Sequence, residues 1–235
     1  MNVFLDVGGH LGQSIGVALD GTWTFDLVHS FEPDADCVRG IEEKFAGDIA
    51  AGRLVIHRAA LGGRDGQITL LGDNSIGGAT TVRGQLRDES RAQTAPLIDV
   101  RRFVETIPKD AQIYIKLNCE GAEVEILNRL CDLADISNIA AIVADFDVVK
   151  KGGGYWEKRR TLKNCAARGL PVVLAEDVMV GKSHAARLSN WFAHHPALMD
   201  GKKARTPVAQ PWKRRVRYAV RDLRSAVGMS RGGYA

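Results

Sequence analysis

A chain of 235 residues, 45% hydrophobic and 26% charged, has ordinary globular composition and the length to bury one substantial core. It holds no run of about 18 apolar residues, which excludes a spanning helix, and residues 2–7 read as a core strand, which leaves no place there for a signal peptide. The net charge of +4 hides an asymmetry: residues 201–235 hold ten Lys or Arg against one acid, Asp222, so that segment carries +9 and residues 1–200 carry −5. The expected division is a domain over 1–200 followed by a basic C-terminal tail over 201–235.

In chain order, Val3-Phe4-Leu5-Asp6-Val7 is an apolar strand that runs into Gly8-Gly9-His10-Leu11-Gly12, and Gln13–Asp20 forms the first helix. Leu27–Phe31 is a second strand ending at Glu32-Pro33, and Asp34 is a good N-cap for a helix over Ala35–Phe45. Leu54–His57 is a third strand, and Gly62–Gly66 turns into Gln67–Leu71, the arm of a hairpin. Gly72 to Ala95 is polar and Gly-rich and reads as a mobile loop beside the site; Leu97–Val100 is a short strand followed by a helical turn to Ile107. Ile113–Leu117 is the fourth core strand and leads into Asn118-Cys119-Glu120-Gly121, then a helix over Ala122–Leu133. Ile139–Phe146 is almost continuously apolar, as a strand covered on both faces should be. A helix over Tyr155–Arg168, a strand over Pro171–Leu174 and a helix over Ala185–His194 follow. Thr206–Gln210 reads as a linker, and Trp212, Val216, Val220, Leu223 and Val227 recur at helical spacing among arginines, the pattern of a basic amphipathic helix. Strands alternating with helices predict an α/β protein with a twisted, mostly parallel sheet and helices on both faces.

The four cysteines (37, 119, 131 and 165) have no CxxC spacing, and the six histidines add no ligand-like spacing. Reduced thiols, a cytoplasmic location and no metal site are expected. The first strand and its glycine turn form the arrangement by which α/β proteins hold nucleotide-like cofactors, with a helix start offering N–H groups. Gly8-Gly9-His10-Leu11-Gly12 cannot be laid on the G-x-G-x-x-G of nicotinamide sites, which argues against an oxidoreductase. It fits D-x-G-x-x-x-G, from Asp6 through Gly8 to Gly12, with an acid that can orient loop amides near the amino-acid end of S-adenosyl-L-methionine. Glu32, twenty residues after Gly12 at the end of the second strand, can accept from both ribose hydroxyls. The innocent readings are that Asp6 caps a turn and that Glu32 is an exposed turn residue.

Several segments then resemble the FkbM-type S-adenosylmethionine-dependent methyltransferases over roughly residues 2–180: Leu5 to Gly12, Ser30-Phe31-Glu32-Pro33, and Ala59-Ala60-Leu61-Gly62 with Asp65-Gly66. The most specific is Ile115-Lys116-Leu117-Asn118-Cys119-Glu120-Gly121-Ala122-Glu123, which looks like that family's K-x-D-x-E-G-x-E signature. The resemblance implies a Rossmann-like class I methyltransferase fold and methyl transfer to a hydroxyl of a saccharide, glycan or related metabolite. It also implies a cofactor site built from Asp6, Gly8, Gly9, His10, Gly12, Gln13, Glu32, Pro33, Ala60 and Asn118. Two positions depart from the family: His10 stands where Asn or a small residue is usual, and Asn118 replaces the signature acid.

Methyl transfer to a hydroxyl needs in-line positioning, exclusion of water and a base. Glu120, Asn118 and Lys116 are the candidates beside the methyl. Glu120 is read as base or hydroxyl acceptor at even odds with helix capping, and Lys116 as a structural partner of Glu120 or Glu123 somewhat ahead of a catalytic role. Asn118 is an amide and cannot take a proton at neutral pH. That keeps alive a second reading, a non-catalytic S-adenosylmethionine-binding or assembly protein. Glu123 reads as a brace for the loop, His10 as a cap of the first helix ahead of a substrate contact, and His57 as a packed or exposed imidazole. Asp145 and Asp147 read as solvated ahead of substrate-binding, and Tyr155-Trp156 as a helix start or a platform for a sugar ring. The tail reads first as a solvated end, second as a helix on the inner surface of an anionic membrane, and last as a nucleic-acid contact, since no RNA-binding module is visible. The expected partners are a small-molecule or glycan substrate and, through the tail, a membrane surface; a homo-oligomer is left open.

Overall fold

The computed structural model describes residues 1–70, 93–119, 121–150, 153–199 and 207–228. The first half runs β1 (Asn2–Val7), α1 (Gln13–Ala18), β2 (Leu27–Phe31), α2 (Ala35–Lys44), α3 (Ala46–Ala50) and β3 (Leu54–His57). Then come β4 (Ala60–Gly62), β5 (Gly66–Leu70), β6 (Gln93–Asp99) and α4 (Val100–Thr106). The second half runs β7 (Gln112–Leu117), α5 (Glu123–Cys131), β8 (Ile139–Ala144), a 3₁₀ turn over Asp147–Lys150, α6 (Gly154–Arg168), β9 (Val172–Leu174), α7 (Ala175–Val178), α8 (His184–Phe192) and α9 (Trp212–Ala226). Asp34 caps α2 by accepting from the N–H groups of Asp36 and Cys37, and Gly169 ends α6 in the left-handed conformation.

Six parallel strands form the main sheet in the order β3-β2-β1-β7-β8-β9. Counted within that sheet the order is 3-2-1-4-5-6, so the fold is Rossmann-like α/β, and the strand order reverses between β1 and β7. Ligands of such sheets bind outside the carboxyl ends of the strands at that reversal. Side chains alternate across the sheet. Val3, Leu5 and Val7 of β1 join Ile113, Ile115 and Leu117 of β7 and the inner faces of α4 and α5 in one core layer. Phe4 and Tyr114 point the other way, to a layer closed by α1, α2 and α8.

That second layer is aromatic: Phe25 and Phe192 lie 4.9 Å apart edge to face, and Phe4 contacts Phe25, Trp191 and Phe192. Each such buried ring contributes about 1.5–3 kcal/mol by area alone. Trp191 and Phe192 thereby fix α8, whose first residue, His184, reaches the carboxyl edge of the sheet.

Three departures from the sequence reading have physical causes. The hairpin arm and the short strand belong to a second sheet, β4-β6-β5, in which β6 pairs parallel to β4 and antiparallel to β5. Residues 72–92 of the expected Gly-rich loop, and Leu71 of the hairpin arm, lie outside the described residues, while Gln93 to Ala95 begin β6. The linker reading of 206–210 gives way to a pinned segment over 207–210. The Asn190 side chain accepts from the Val208 N–H at 2.7 Å and donates to the Val208 carbonyl at 3.1 Å, as a neighbouring strand would, and Gln210 is buried on the Glu176 carbonyl.

The third concerns the tail, read first as solvated. Residues 212–226 form α9, which is docked. Buried Lys158 of α6 bonds Glu176 at 2.7 Å and Asp222 of α9 at 3.1 Å, and Arg221 joins both acids. Ser225 is fully buried and accepts from the N–H groups of Gly153 (carbonyl, 2.9 Å) and Tyr155 (hydroxyl, 3.0 Å). The +9 of the tail obscured that its one acid has a buried lysine to meet.

Candidate functional site

The turn after β1 is held by main-chain bonds. The N–H groups of Gly8 and Gly9 both donate to the Phe31 carbonyl, at 3.1 and 3.2 Å, and Gly12 N–H donates to the Gly9 carbonyl at 2.9 Å. His10 N–H donates to Glu32 Oε2 at 2.7 Å, and Asp34 N–H to Glu32 Oε1 at 2.9 Å. Gly8 has φ +85, and a Cβ there would sit 2.0 Å from the Asn118 carbonyl oxygen, so the β1 and β7 loops touch backbone to backbone. A Cβ on Gly9 would sit 2.3 Å from Ser30 Oγ. The turn's own N–H groups are therefore engaged at positions 8, 9, 10 and 12, all ahead of Gln13, the first residue of α1. Glu32 is buried, which pushes its pKa up, and both its oxygens already hold backbone.

His10 adopts the left-handed conformation at φ 46, one that Asn, Asp and His tolerate better than most residues. It does not cap α1, whose N-cap is Gly12 with no side-chain bond. Its Nε2 is buried and without a hydrogen-bond partner among the described residues.

The β1–β7 register sets Asp6 directly beside Lys116. Lys116 Nζ bonds Asp6 Oδ1 at 2.8 Å and the Gly8 carbonyl at 3.0 Å, with both side chains buried. This corrects both expectations for the pair. Lys116 meets Asp6 and not Glu123, and Asp6 acts on the loop through that ammonium, since the loop amides bond elsewhere. Glu123 Oε1 accepts from the N–H groups of Cys119 (3.0 Å) and Gly121 (3.3 Å). Burial first, and Asp147 second, push the Glu123 carboxyl up to about 7.

A cavity of about 380 Å³ opens at the reversal point. Of the residues singled out from sequence, Gly8, Gly9, His10, Gln13, Glu32 and Pro33 line it on the β1–β2 side, and Ala60, Lys116 and Asn118 line it elsewhere. Asp6 lies beneath the lining on Lys116, and Gly12 faces the Phe45 ring, where a Cβ would come within 2.6 Å. Glu120 lies outside the described residues. Leu61, Ile68, Leu70 and Leu97 of the small sheet give the cavity an apolar wall.

Sequence reasoning missed Ser14 and His184, which line the cavity and bond each other, Oγ to Nε2, at 2.9 Å. Burial, and then the Lys116 charge, lower the His184 pKa and so favour the neutral ring. No local motif marks His184; it arrives on a helix placed by Trp191 and Phe192. Other candidates stand away from the cavity. His57 stacks on Phe31 at 4.4 Å and bonds His29 at 3.0 Å, while Tyr155 and Trp156 contact Ser225 and Ala226 of α9. Among the described residues no group of three or more His, Cys, Asp or Glu could hold a metal ion, and no helix is long and apolar enough to cross a membrane.

No protein-family model matches the chain, and no curated protein matches it in sequence. Among solved structures it is similar to the methyltransferase FkbM from Methylobacillus flagellatus KT, at 16% identity and a TM-score of 0.36, over 56% of this chain and 30% of that one. The match thus spans less than a third of that protein's length, and a likeness so slight does not bear on the reaction.

Proposed function

We propose that the chain is an S-adenosylmethionine-dependent methyltransferase, and that its acceptor is a hydroxyl of a saccharide, glycan or related metabolite. The observation that carries the cofactor is the occupancy of the glycine turn. A dinucleotide sets its pyrophosphate against the glycine turn and the helix start that follows it. Here the turn's own amides at Gly8, Gly9, His10 and Gly12 are committed to Phe31, Glu32 and Gly9, which leaves an anion only the start of α1. A cofactor with a ribose and no phosphate suits such a turn. The residues present fit it: Glu32 keeps further lone pairs for ribose hydroxyls, and His10, which lines the cavity, has a buried Nε2 without a partner among the described residues. When bound, S-adenosylmethionine supplies a sulfonium methyl open to in-line displacement.

The chain's own contribution is positioning and proton handling. Lys116 ties Asp6 of β1 to the Gly8 carbonyl, which fixes the turn against β7. The apolar wall from the small sheet keeps water from the acceptor. Asn118 can orient a hydroxyl but not deprotonate it. His184 lines the same cavity, bonded to Ser14, and its burial favours the neutral imidazole, the form that accepts a proton. Transfer of labelled methyl from S-adenosylmethionine to hydroxyl-bearing glycans tests this reading, with Glu32→Gln expected to weaken cofactor binding about tenfold through loss of a charge-assisted acceptor. Asn118 in place of an acid favours one other reading, a non-catalytic S-adenosylmethionine-binding protein. Cofactor binding with no transfer to any acceptor class would decide for it.

A further inference from the structure

An amphipathic surface helix normally turns its apolar face inward, and α9 does the reverse. Its polar side, Arg221, Asp222 and Ser225, makes the buried contacts with Lys158, Glu176 and the start of α6. On the opposite side Trp212, Val216, Val220, Leu223 and Val227 form one stripe and are 44–69% exposed. At about 100° per residue these five side chains span roughly 80° of the helix circumference, so they form a single continuous face. Arg217 and Arg224 border the stripe on one side and Arg215 on the other, all three exposed. The protein's own core therefore holds the helix by the side that would otherwise face water, and presents the side that would otherwise be buried.

We propose that α9 is a docking surface for an anionic lipid bilayer, lying in the interfacial plane with the stripe among the acyl chains and the arginines at the headgroups. Charge selects this occupant. A cationic border on both sides of an apolar stripe complements anionic headgroups all around the inserted face. A second copy of the same helix would set arginine borders against each other. Trp212, at the start of the stripe, has the amphipathic ring enriched at bilayer interfaces. The proposal does not depend on the reaction carried out in the cavity.

The test is co-sedimentation of the full chain with vesicles of phosphatidylcholine alone and of phosphatidylcholine containing about 30% phosphatidylglycerol, at about 0.1 M salt. Binding to the anionic vesicles is expected, with a blue shift of tryptophan emission, and much weaker binding to the zwitterionic ones. V216D/L223D should reduce binding at least about tenfold by placing charge in the inserted face, and R217E/R224E by a similar factor, since each basic residue near such a surface is worth about fivefold. All four side chains are exposed, and an unchanged unfolding midpoint in both variants would show that the loss is not one of folding. Equal binding to both vesicle types, no binding to either, or full binding by V216D/L223D would overturn the proposal. So would a concentration-dependent dimer that V216D/L223D abolishes, which would make a second copy the occupant.

Discussion

Asp6 and Lys116 are register partners on adjacent strands, and their carboxylate and ammonium meet at 2.8 Å with both side chains buried. The same ammonium donates to the Gly8 carbonyl at 3.0 Å, so one cation joins β1, β7 and the glycine turn. A charge with so little water around it is stabilising only while its partner is present.

Lys116→Met should therefore destabilise the fold by about 3–5 kcal/mol, because it leaves the Asp6 carboxylate buried and unpaired. Adding Asp6→Asn should recover much of that loss. Urea unfolding of the two variants checks this; a Lys116→Met cost below about 1 kcal/mol would show that the pair is not the clasp of the turn.

Gly8 and Gly40 should respond to alanine in opposite senses. At Gly8 the new Cβ meets the Asn118 carbonyl at 2.0 Å with φ +85, so Gly8→Ala should cost at least about 1–3 kcal/mol and deform the cavity wall. Gly40 lies within α2 with nothing within 4 Å of a Cβ, so Gly40→Ala should stabilise by about 0.5–1 kcal/mol. Thermal melts of the two variants give both signs.

Two groups give stability an opposing dependence on pH. Burial, then His57, hold the His29 pKa at about 4 against 6.5. The unfolded chain binds that proton more tightly, so the His29 contribution is intact above pH 6.5 and is lost as pH falls towards 4, by at most about 3 kcal/mol. Glu123, raised to about 7 from 4.5, works the other way. Its contribution is full below pH 4.5 and is lost as pH rises through 7. His29→Gln should therefore lose less stability than the wild type on acidification. Glu123→Gln, which keeps an acceptor for Cys119 and Gly121, should gain on the wild type between about pH 5 and about pH 8. Urea midpoints across that range measure both trends.

Much of the fold was legible because its signals are local. Val3–Val7, Leu27–Phe31 and Ile113–Leu117 are apolar enough to read as buried strands, and Asp34 and Gly169 mark helix ends by their own chemistry. What required the third dimension was pairing. Nothing near Lys116 reveals that its partner is Asp6, 110 residues earlier, because that pairing follows from the parallel register of β1 with β7. Nothing near His184 reveals a cavity residue, since α8 is set by the aromatic layer beneath it. The spacing of Trp212 to Val227 predicts an amphipathic helix, but which side faces inward depends on Lys158 and Glu176 in other elements. The glycine turn was recognisable, whereas the engagement of its amides by Phe31 and Glu32 depends on β2 lying alongside.

That engagement separates a cofactor without phosphates from a dinucleotide. Calorimetric titration of the full chain with S-adenosylhomocysteine and, separately, with NADH compares a ribose ligand without phosphates to one with a pyrophosphate. One-site binding of S-adenosylhomocysteine, weakened about tenfold by Glu32→Gln, with no binding of NADH, is the expected result. Tight binding of NADH with none of S-adenosylhomocysteine would contradict it.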